Sequence, residues 1–368
     1  MLLLCLTLSL TNLPSTVQAT AERWHLSDSP LLTLGGPDAS GPTEFTNVYA
    51  GAFWAGRIAI LDGATQTIRL FDPVSGKHIR TIGRHGQGPG EYLNAAYLQP
   101  LPGDSLFVSD IQQSRFTILE PNGDLARVVS VAALVRETRL TPVGRFADGS
   151  VLAWAPRFTD VSGTGLQRLP ATLYRVDPKG TKADSLKVLP FATVQPMRIG
   201  GGGGWRAALG AGQMQPAVAS QVAYLNSPTQ FLVHVYQAAT GTWTTISEPY
   251  KPRPGTEAMA KVSRDAAVKQ GASPQLMAQV PFVDTLPAVR YPLLTASGRL
   301  WLVDGQADTV AHTRGLTAYG ANGRREGRVL IPSGYQPVAI SDSMIMLTER
   351  EESDGSLIVI YRLTPPRP

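Results

Sequence analysis

Short hydrophobic runs of similar length recur along this chain, separated by turn residues. Six of them share one form, a strand-length apolar stretch that in most cases ends on a polar residue, at residues 56–62, 104–110, 149–155, 220–226, 298–304 and 342–348. After a short loop each is followed by a second run, at residues 67–72, 114–120, 171–177, 231–237, 315–320 and 356–363. Self-similarity at a spacing of several tens of residues, with several strands per unit, is typical of propellers and comparable repeat arrays.

Each unit is predicted to contain four antiparallel strands. In five units a turn glycine follows the second run, and a more polar strand begins after it, at Gly76, Gly123, Gly180, Gly241 and Gly323. Turns of this kind are typical of hairpins, because Pro presets φ and Gly or Asn takes the left-handed position. A further apolar stretch precedes each unit. Six units of four strands therefore predict an all-β fold, a six-bladed β-propeller.

The two ends of the repeat array are incomplete in a complementary way. The last unit lacks a fourth strand, whereas an apolar segment at residues 31–35 precedes the first unit without a partner. Pairing this segment with the run at residues 356–363 would complete the last blade and remove its exposed edge. We therefore predict a ring that is closed by an N-terminal strand.

Two segments depart from the strand pattern. Residues 255–279 are rich in Ala, Met, Lys and Gln, which favour helix, and the alternation of strands stops there. They are predicted to form a helical insertion between blades 4 and 5, outside the ring. Five consecutive glycines at residues 200–204 are interpreted either as part of a loop on one face or as a flexible connector.

The start of the chain has the composition of a leader. The first 19 residues carry no charge, and an apolar core precedes Pro14 and the small residues Val17 and Ala19. This predicts a signal peptide over residues 1–19, too short for a bilayer span of about 20 residues. Residues 20–368 are expected to form a single, monomeric domain without a transmembrane segment, exported to the periplasm or the cell exterior. The single cysteine, Cys5, lies in the leader, so the mature chain has no disulfide or catalytic thiol.

The charge of the chain is modest and dispersed. Lys and Arg number 33 against 28 Asp and Glu, a formal net charge of +5. The densest basic spot is a turn region with Arg324, Arg325 and Arg328. Because a protein that reads a nucleic-acid backbone concentrates its charge on one face, we expect no nucleic-acid partner.

The linker after blade 1 carries a family resemblance. It reads IGRHGQGPGEY at residues 82–92, and the following segment SDIQQSRFTIL places Asp110 and Arg115 as in NHL repeats. With these motifs the chain resembles the bacterial six-bladed β-propeller family related to NHL-repeat proteins, most strongly over residues 24–130. The resemblance implies a propeller fold and an exported location. It implies no single activity, because NHL-like propellers include scaffolds, protein binders and a few metal-dependent lyases and lactonase-like hydrolases.

Antiparallel alternation places the ends of second strands and the starts of first strands on one face of the ring. Residues near the starts of first strands form the candidate ligand-binding set, namely Glu44, Glu91, Arg139, Arg290, Tyr291 and Tyr335. Residues at the ends of second strands form the candidate metal set, namely Asp62, Asp110, Asn226 and Asp304. If their oxygens converge, Ca²⁺ is the cofactor that they would suit. Alternatively each caps its own loop, since the position repeats from blade to blade.

No complete catalytic constellation is found in the sequence. The histidines form no paired motif of the kind that binds zinc, and no Gly-x-Ser-x-Gly elbow marks a nucleophile. The sequence therefore predicts an exported module, rather than an enzyme, that binds a protein or a small polar ligand through one face of the ring. The alternative is a metal-dependent hydrolase or lyase of lactonase-like type that uses the carboxylates at the channel mouth.

Overall fold

The computed structural model describes residues 23–366 except 137, 161–164, 200–201, 270 and 351–354. The predicted signal peptide, residues 1–19, lies outside the described residues. Two short strands come first, β1 (His25–Leu26) and β2 (Leu32–Gly35). Two 3-10 turns occur later, at Gly41–Thr43 and Phe158–Asp160.

Strands β3 to β15 form blades 1 to 3, and strands adjacent in sequence are adjacent in each sheet. Blade 1 consists of β3 (Val48–Trp54), β4 (Arg57–Asp62), β5 (Thr67–Phe71) and β6 (His78–Ile82). Blade 2 consists of β7 (Ala95–Pro100), β8 (Leu106–Asp110), β9 (Arg115–Leu119) and β10 (Leu125–Ser130). Blade 3 consists of β11 (Thr141–Arg145), β12 (Val151–Pro156), β13 (Gln167–Val176), β14 (Ala183–Ile199) and an added fifth strand, β15 (Gly202–Ala207).

The remaining strands form blades 4 to 6. Blade 4 consists of β16 (Pro216–Val218), β17 (Val222–Asn226), β18 (Leu232–Gln237) and β19 (Thr242–Ser247). Blade 5 consists of β20 (Val289–Leu294), β21 (Leu300–Asp304), β22 (Thr313–Tyr319) and β23 (Arg325–Pro332). Blade 6 consists of β24 (Tyr335–Ile340), β25 (Met344–Arg350) and β26 (Ser356–Thr364), with β1 and β2 paired to β26.

Burial along a blade explains the repeating hydrophobic runs. The second strand is covered on both faces by neighbouring blades, and β8 is buried at every position. A strand covered on both faces gives a continuous apolar run instead of an alternation. The fourth strands β6, β10 and β19 are mostly exposed, which explains their more polar sequences.

The apolar core of the molecule lies between blades. Each pair of neighbouring blades shares one cluster of buried apolar side chains among the described residues. The innermost strands contact one another in sequence order, and β24 of blade 6 contacts β3 of blade 1. The six sheets therefore form a closed ring, and the predicted six-bladed, all-β architecture is confirmed.

The ring is closed by the N-terminal strands. In β2, Leu32 pairs with Ile360 and Gly35 pairs with Leu357, which confirms the predicted partnership of residues 31–35 with the last strand. Strand β1 extends this edge, with His25 opposite Thr364. Just before it, Trp24 is buried, and its ring centroid lies 5.1 Å from that of Trp301 in blade 5.

The predicted helical insertion is confirmed between blades 4 and 5. It consists of α1 (Glu257–Lys269) and α2 (Pro274–Gln279). Ser273 caps α2, because its Oγ accepts a hydrogen bond of 3.3 Å from the backbone N–H of Leu276, and Pro274 occupies the first turn. A small apolar cluster, separate from those between blades, attaches this insertion to the segment after β15, with Ala208, Met259, Phe282, Val283 and Leu286 among its members.

Blade 3 carries an extension that the sequence did not predict. Strand β14 is 17 residues long, and its last part pairs with β15 instead of β13, from Val194 opposite Ala207 to Ile199 opposite Gly202. Part of the glycine run thus lies in a strand. As a fourth strand, β14 runs toward the face where first strands begin, and the insertion after β19 starts on the same face. Both additions therefore lie around one mouth of the central channel.

Among the described residues, no helix combines the length and the apolar character needed to cross a bilayer.

Candidate ligand-binding site

Asp62, at the end of the second strand of blade 1, is wholly buried and bonded within its own blade. Its carboxylate accepts hydrogen bonds of 3.3 Å and 3.0 Å from the backbone N–H groups of Asn47 and Ala64. It also forms an ion pair of 3.0 Å with Arg69, whose guanidinium in turn donates to the carbonyl oxygens of Pro42 and Glu44. This carboxylate fastens the start of the first strand to the loop after the second.

Asp110 repeats the backbone part of this arrangement in blade 2. Its carboxylate accepts hydrogen bonds from the backbone N–H groups of Leu93, Gln112 and Gln113 at 2.8, 3.1 and 3.0 Å. In blade 4 the equivalent residue is Asn226, whose Oδ1 accepts a bond of 2.7 Å from the N–H of Gln215. The Nδ2 of Asn226 donates to the carbonyl oxygen of Val289 in blade 5, at 3.3 Å.

Asp304, the fourth candidate metal ligand, forms an ion pair with Arg328 of its own blade. Burial raises the pKa of Asp304 above its usual range, against the opposing effect of the nearby arginines. The four candidates therefore lie in four blades, and each has partners of its own. The described residues include no group of three or more His, Cys, Asp or Glu side chains that could hold a metal ion. The three aspartates of the candidate set therefore do not form such a group.

Glu91 of the candidate ligand-binding set braces the glycine-rich linker. Its carboxylate accepts a hydrogen bond of 2.8 Å from the N–H of Gly88 and pairs with Arg84. These two interactions, the bond from Gly88 first, lower the pKa of Glu91. A side chain at Gly86 would clash with this carboxylate, which explains a glycine there. Glu91 therefore holds the shape of the loop between blades 1 and 2.

Three further members of that set are dispersed. Glu44 is exposed, and its carbonyl oxygen accepts a hydrogen bond from Arg69. Arg139 is exposed and donates a bond of 3.2 Å to the carbonyl oxygen of Gln112. Tyr335 packs at the core between blades 5 and 6. The remaining two members, Arg290 and Tyr291, line one cavity together.

That cavity has a volume of about 860 Å³ and lies between the insertion and the mouth-side ends of blades 4 and 5. Helix α1 forms one wall with four side chains of a single face, Ala258, Met259, Val262 and Ser263. The other walls come from the segments before β16 and β20 and from the loop between β21 and β22, with Gln213, Gln215, Phe282, Gln306, Thr309 and Arg314 among the residues.

Two guanidinium groups face this cavity, Arg290 at the start of β20 and Arg314 at the start of β22. The guanidinium of Arg290 makes no hydrogen bond or ion pair with a described residue, and its carbon lies 5.9 Å from the ring centroid of Tyr291. Burial, and secondly the charge of Arg290, lower the pKa of Arg314. Burial raises the pKa of Tyr291 to about 12, and its hydroxyl donates a bond of 2.9 Å to the carbonyl oxygen of Pro337. The cavity is therefore cationic and contains a neutral tyrosine.

Comparison with known proteins agrees with this geometry. Residues 42–99 match a family model described as 6-bladed beta-propeller. The chain is a six-bladed β-propeller. It is similar to a Bacteroides fragilis protein inferred to be exported, with 12% identity and a TM-score of 0.52 over 95% of this chain and 98% of that chain. It is also similar to a DUF4221-family protein of Bacteroides vulgatus, with 9% identity and a TM-score of 0.55 over 94% and 100% of the two chains.

These likenesses show the fold alone. A gluconolactonase of Xanthomonas campestris is similar at 11% identity and a TM-score of 0.47, over 88% of this propeller and 87% of that chain, a level that bears on no activity. No curated protein matches the sequence.

Sequence reasoning missed most of the cavity of this propeller. Arg314 could have been found, because the start of a third strand lies on the same face as the start of a first strand, where Arg290 was placed. The helix residues Met259 and Ser263 gave no such signal. These residues reach the cavity because of how the insertion folds against the ring, which their local sequence does not indicate.

Proposed function

We propose that this propeller is an exported protein that binds a small ligand in the cavity between blades 4 and 5, beneath helix α1. The observation that carries the proposal is a cavity of about 860 Å³ lined by Arg290, whose guanidinium has no hydrogen-bond or ion-pair partner among the described residues. Small-molecule sites are concave, mostly apolar and supplied with a few polar groups that fix orientation. The apolar N-terminal segment and the likeness to the Bacteroides fragilis protein inferred to be exported support export.

The walls of the cavity favour a small ligand over a protein partner. Its apolar lining, which includes Met259, Phe282 and Leu286, belongs to a recess and not to a broad exposed patch. Polar side chains from the segment before β16 and from blade 5, among them Gln306 and Thr309, face the same space. No observation among the described residues favours the metal-dependent alternative, because each candidate carboxylate is bonded within its own blade.

A variant that fills the cavity tests this function. Ser263 lies on the wall formed by α1, so Ser263→Trp places an indole in the space that the ligand would occupy. Lys261→Trp is the matched control, because Lys261 is exposed on the same helix and does not line the cavity. We expect compounds from a mixed library of neutral and charged small molecules to bind the natural protein and the control, and Ser263→Trp to lose them. Ligand-observed nuclear magnetic resonance measures the binding.

Two results would contradict the proposal. One is a library from which the natural protein binds nothing. The other is a set of bound compounds that Ser263→Trp retains in full although the variant is folded.

A further inference from the structure

The charge of the cavity lining is one-sided. Among the described residues that form it, the charged side chains are Arg290 and Arg314, and no Asp or Glu is present. Resting on the function proposed above, we infer that the ligand is an organic oxyanion whose carboxylate or phosphate group is held between these two guanidinium groups. Arg suits this task because its planar fork donates paired hydrogen bonds to either group.

Arg314 is held in place and left with an unused donor. Its Nη1 donates a bond of 2.9 Å to the carbonyl oxygen of Asp304, which orients the guanidinium. Its Nε is buried and has no hydrogen-bond partner. A buried donor without a partner is destabilising, more so on a charged group. An anion in the cavity would offset the repulsion of this guanidinium from Arg290 and supply an acceptor to the part of it that faces the cavity, not to the buried Nε.

Nearby acids neutralise this pair only in part. Asp304 interacts with Arg314, but it also forms an ion pair with Arg328. The carboxylate of Asp308 accepts bonds of 2.9 Å from the N–H groups of Val310 and Ala311. The hydrogen bond from Ala311, then that from Val310 and the charge of a further cation, Arg253, lower the pKa of Asp308. The local charge therefore attracts an anion, and no described carboxylate occupies the place in which it would bind.

The rest of the lining indicates the body of the ligand. Met259, Val262 and Phe282 form an apolar wall, and Val262 is 69% exposed at its rim. An apolar portion that covers these side chains gains about 25 cal/mol per Å² removed from water. The ligand is therefore an acid with an apolar part, such as an aryl or short alkyl chain, rather than a bare inorganic ion.

Matched probes separate charge from shape. We would titrate the natural protein with phenylacetate, phenyl phosphate, neutral phenylacetamide and inorganic phosphate, using calorimetry and ligand-observed nuclear magnetic resonance. The acids are expected to bind more tightly than the amide, and added salt is expected to weaken the acids alone. The comparison between phenylacetate and phenyl phosphate shows which oxyanion the cavity prefers. Inorganic phosphate is expected to bind more weakly than phenyl phosphate.

Arg290→Gln is the main variant, because the guanidinium of Arg290 has no hydrogen bond with a described residue. The backbone carbonyl of residue 290, which accepts a bond from Asn226, is not altered by the substitution, so we expect the fold to stay intact. We expect it to weaken binding of the acids by about tenfold to a hundredfold, the loss of a charged hydrogen bond. Arg290→Lys keeps the charge and is expected to retain part of the affinity. Arg139→Gln, the same change at an exposed arginine outside the cavity, is expected to change nothing.

The outcomes are distinguishable from those that test the cavity itself. Equal binding of phenylacetate and phenylacetamide, unchanged affinity in Arg290→Gln, or no binding of either organic acid would each overturn the oxyanion inference. If neutral compounds bind and Ser263→Trp removes them, the proposed function stands while this inference fails.

Discussion

A chain that starts at residue 37 is expected to lose the cooperative unfolding transition that a chain starting at residue 23 retains. The shorter chain lacks β1 and β2, so β26 becomes an edge strand that is paired with β25 on one side only. It also lacks the buried side chains of Trp24 and Leu34, which pack against blades 5 and 1. Trp24→Ala alone is expected to lower the free energy of unfolding by about 3–5 kcal/mol. The combined loss is comparable to the whole stability of an ordinary domain, about 5–15 kcal/mol.

Urea denaturation followed by tryptophan fluorescence and size-exclusion chromatography measure this effect. An exposed edge favours association, so the shorter chain is expected to form oligomers or aggregates. The control is Leu31→Ala, because Leu31 is 44% exposed next to the same strand. Equal unfolding midpoints for the two chain lengths would show that the ring does not depend on this closure.

The second large effect is expected at Asp62. Replacing it with Ala removes the carboxylate that pairs with Arg69, and both side chains are almost fully buried, with exposures of 0% and 9%. Leaving one charge of a buried pair without its partner is destabilising by about 3–5 kcal/mol. The backbone N–H groups of Asn47 and Ala64 also lose their acceptor. We expect a correspondingly lower free energy of unfolding in chemical denaturation.

The control for this change is Asp72→Ala in the same blade. Asp72 is also bonded to backbone N–H groups, but its bonds lie at an exposed turn, so we expect only a small loss. Elemental analysis of both variants adds a second readout. If Asp62→Ala stays as stable as the natural protein and a bound metal disappears, the carboxylate is a metal ligand and the account of it as a loop cap is wrong.

The sequence predicted the ring well because burial leaves a direct trace in a β-blade. The second strands, such as β8, are covered on both sides, so their residues are almost all apolar and the repeat is visible. Closure could be predicted by counting the strands in each unit, because the last unit lacked a fourth strand and one strand without a partner preceded the first unit. The glycine run was a different case. With no side chains to alternate, residues 202–204 gave no sign that they pair with the end of β14.

The surroundings of the proposed site were predicted in outline, without their detail. Antiparallel order placed Arg290 and Tyr291 near the start of a first strand, where the structure has them in β20. It gave no information on the partners of side chains. The carboxylates of Asp62 and Asp110 accept hydrogen bonds from backbone N–H groups, which are present in any loop and leave no mark in the sequence. The cavity also depends on α1, whose approach to blade 5 is set by packing of Met259 and Phe282 with Leu286. Such contacts between distant segments are not encoded in a local pattern.

The pairing of His25 with Thr364 also has a consequence for the order of events during synthesis. The ring cannot close until residue 364 has left the ribosome. Until then the blades that have already been synthesised form an open array. Closure is then a single late step that pairs the first strands to be synthesised with the last one. For the export proposed above this delay is an advantage, because a secretion channel that passes extended chain can take the protein before the ring closes. Under that proposal, folding would be completed on the far side of the membrane, where the last blade first meets its outermost strand.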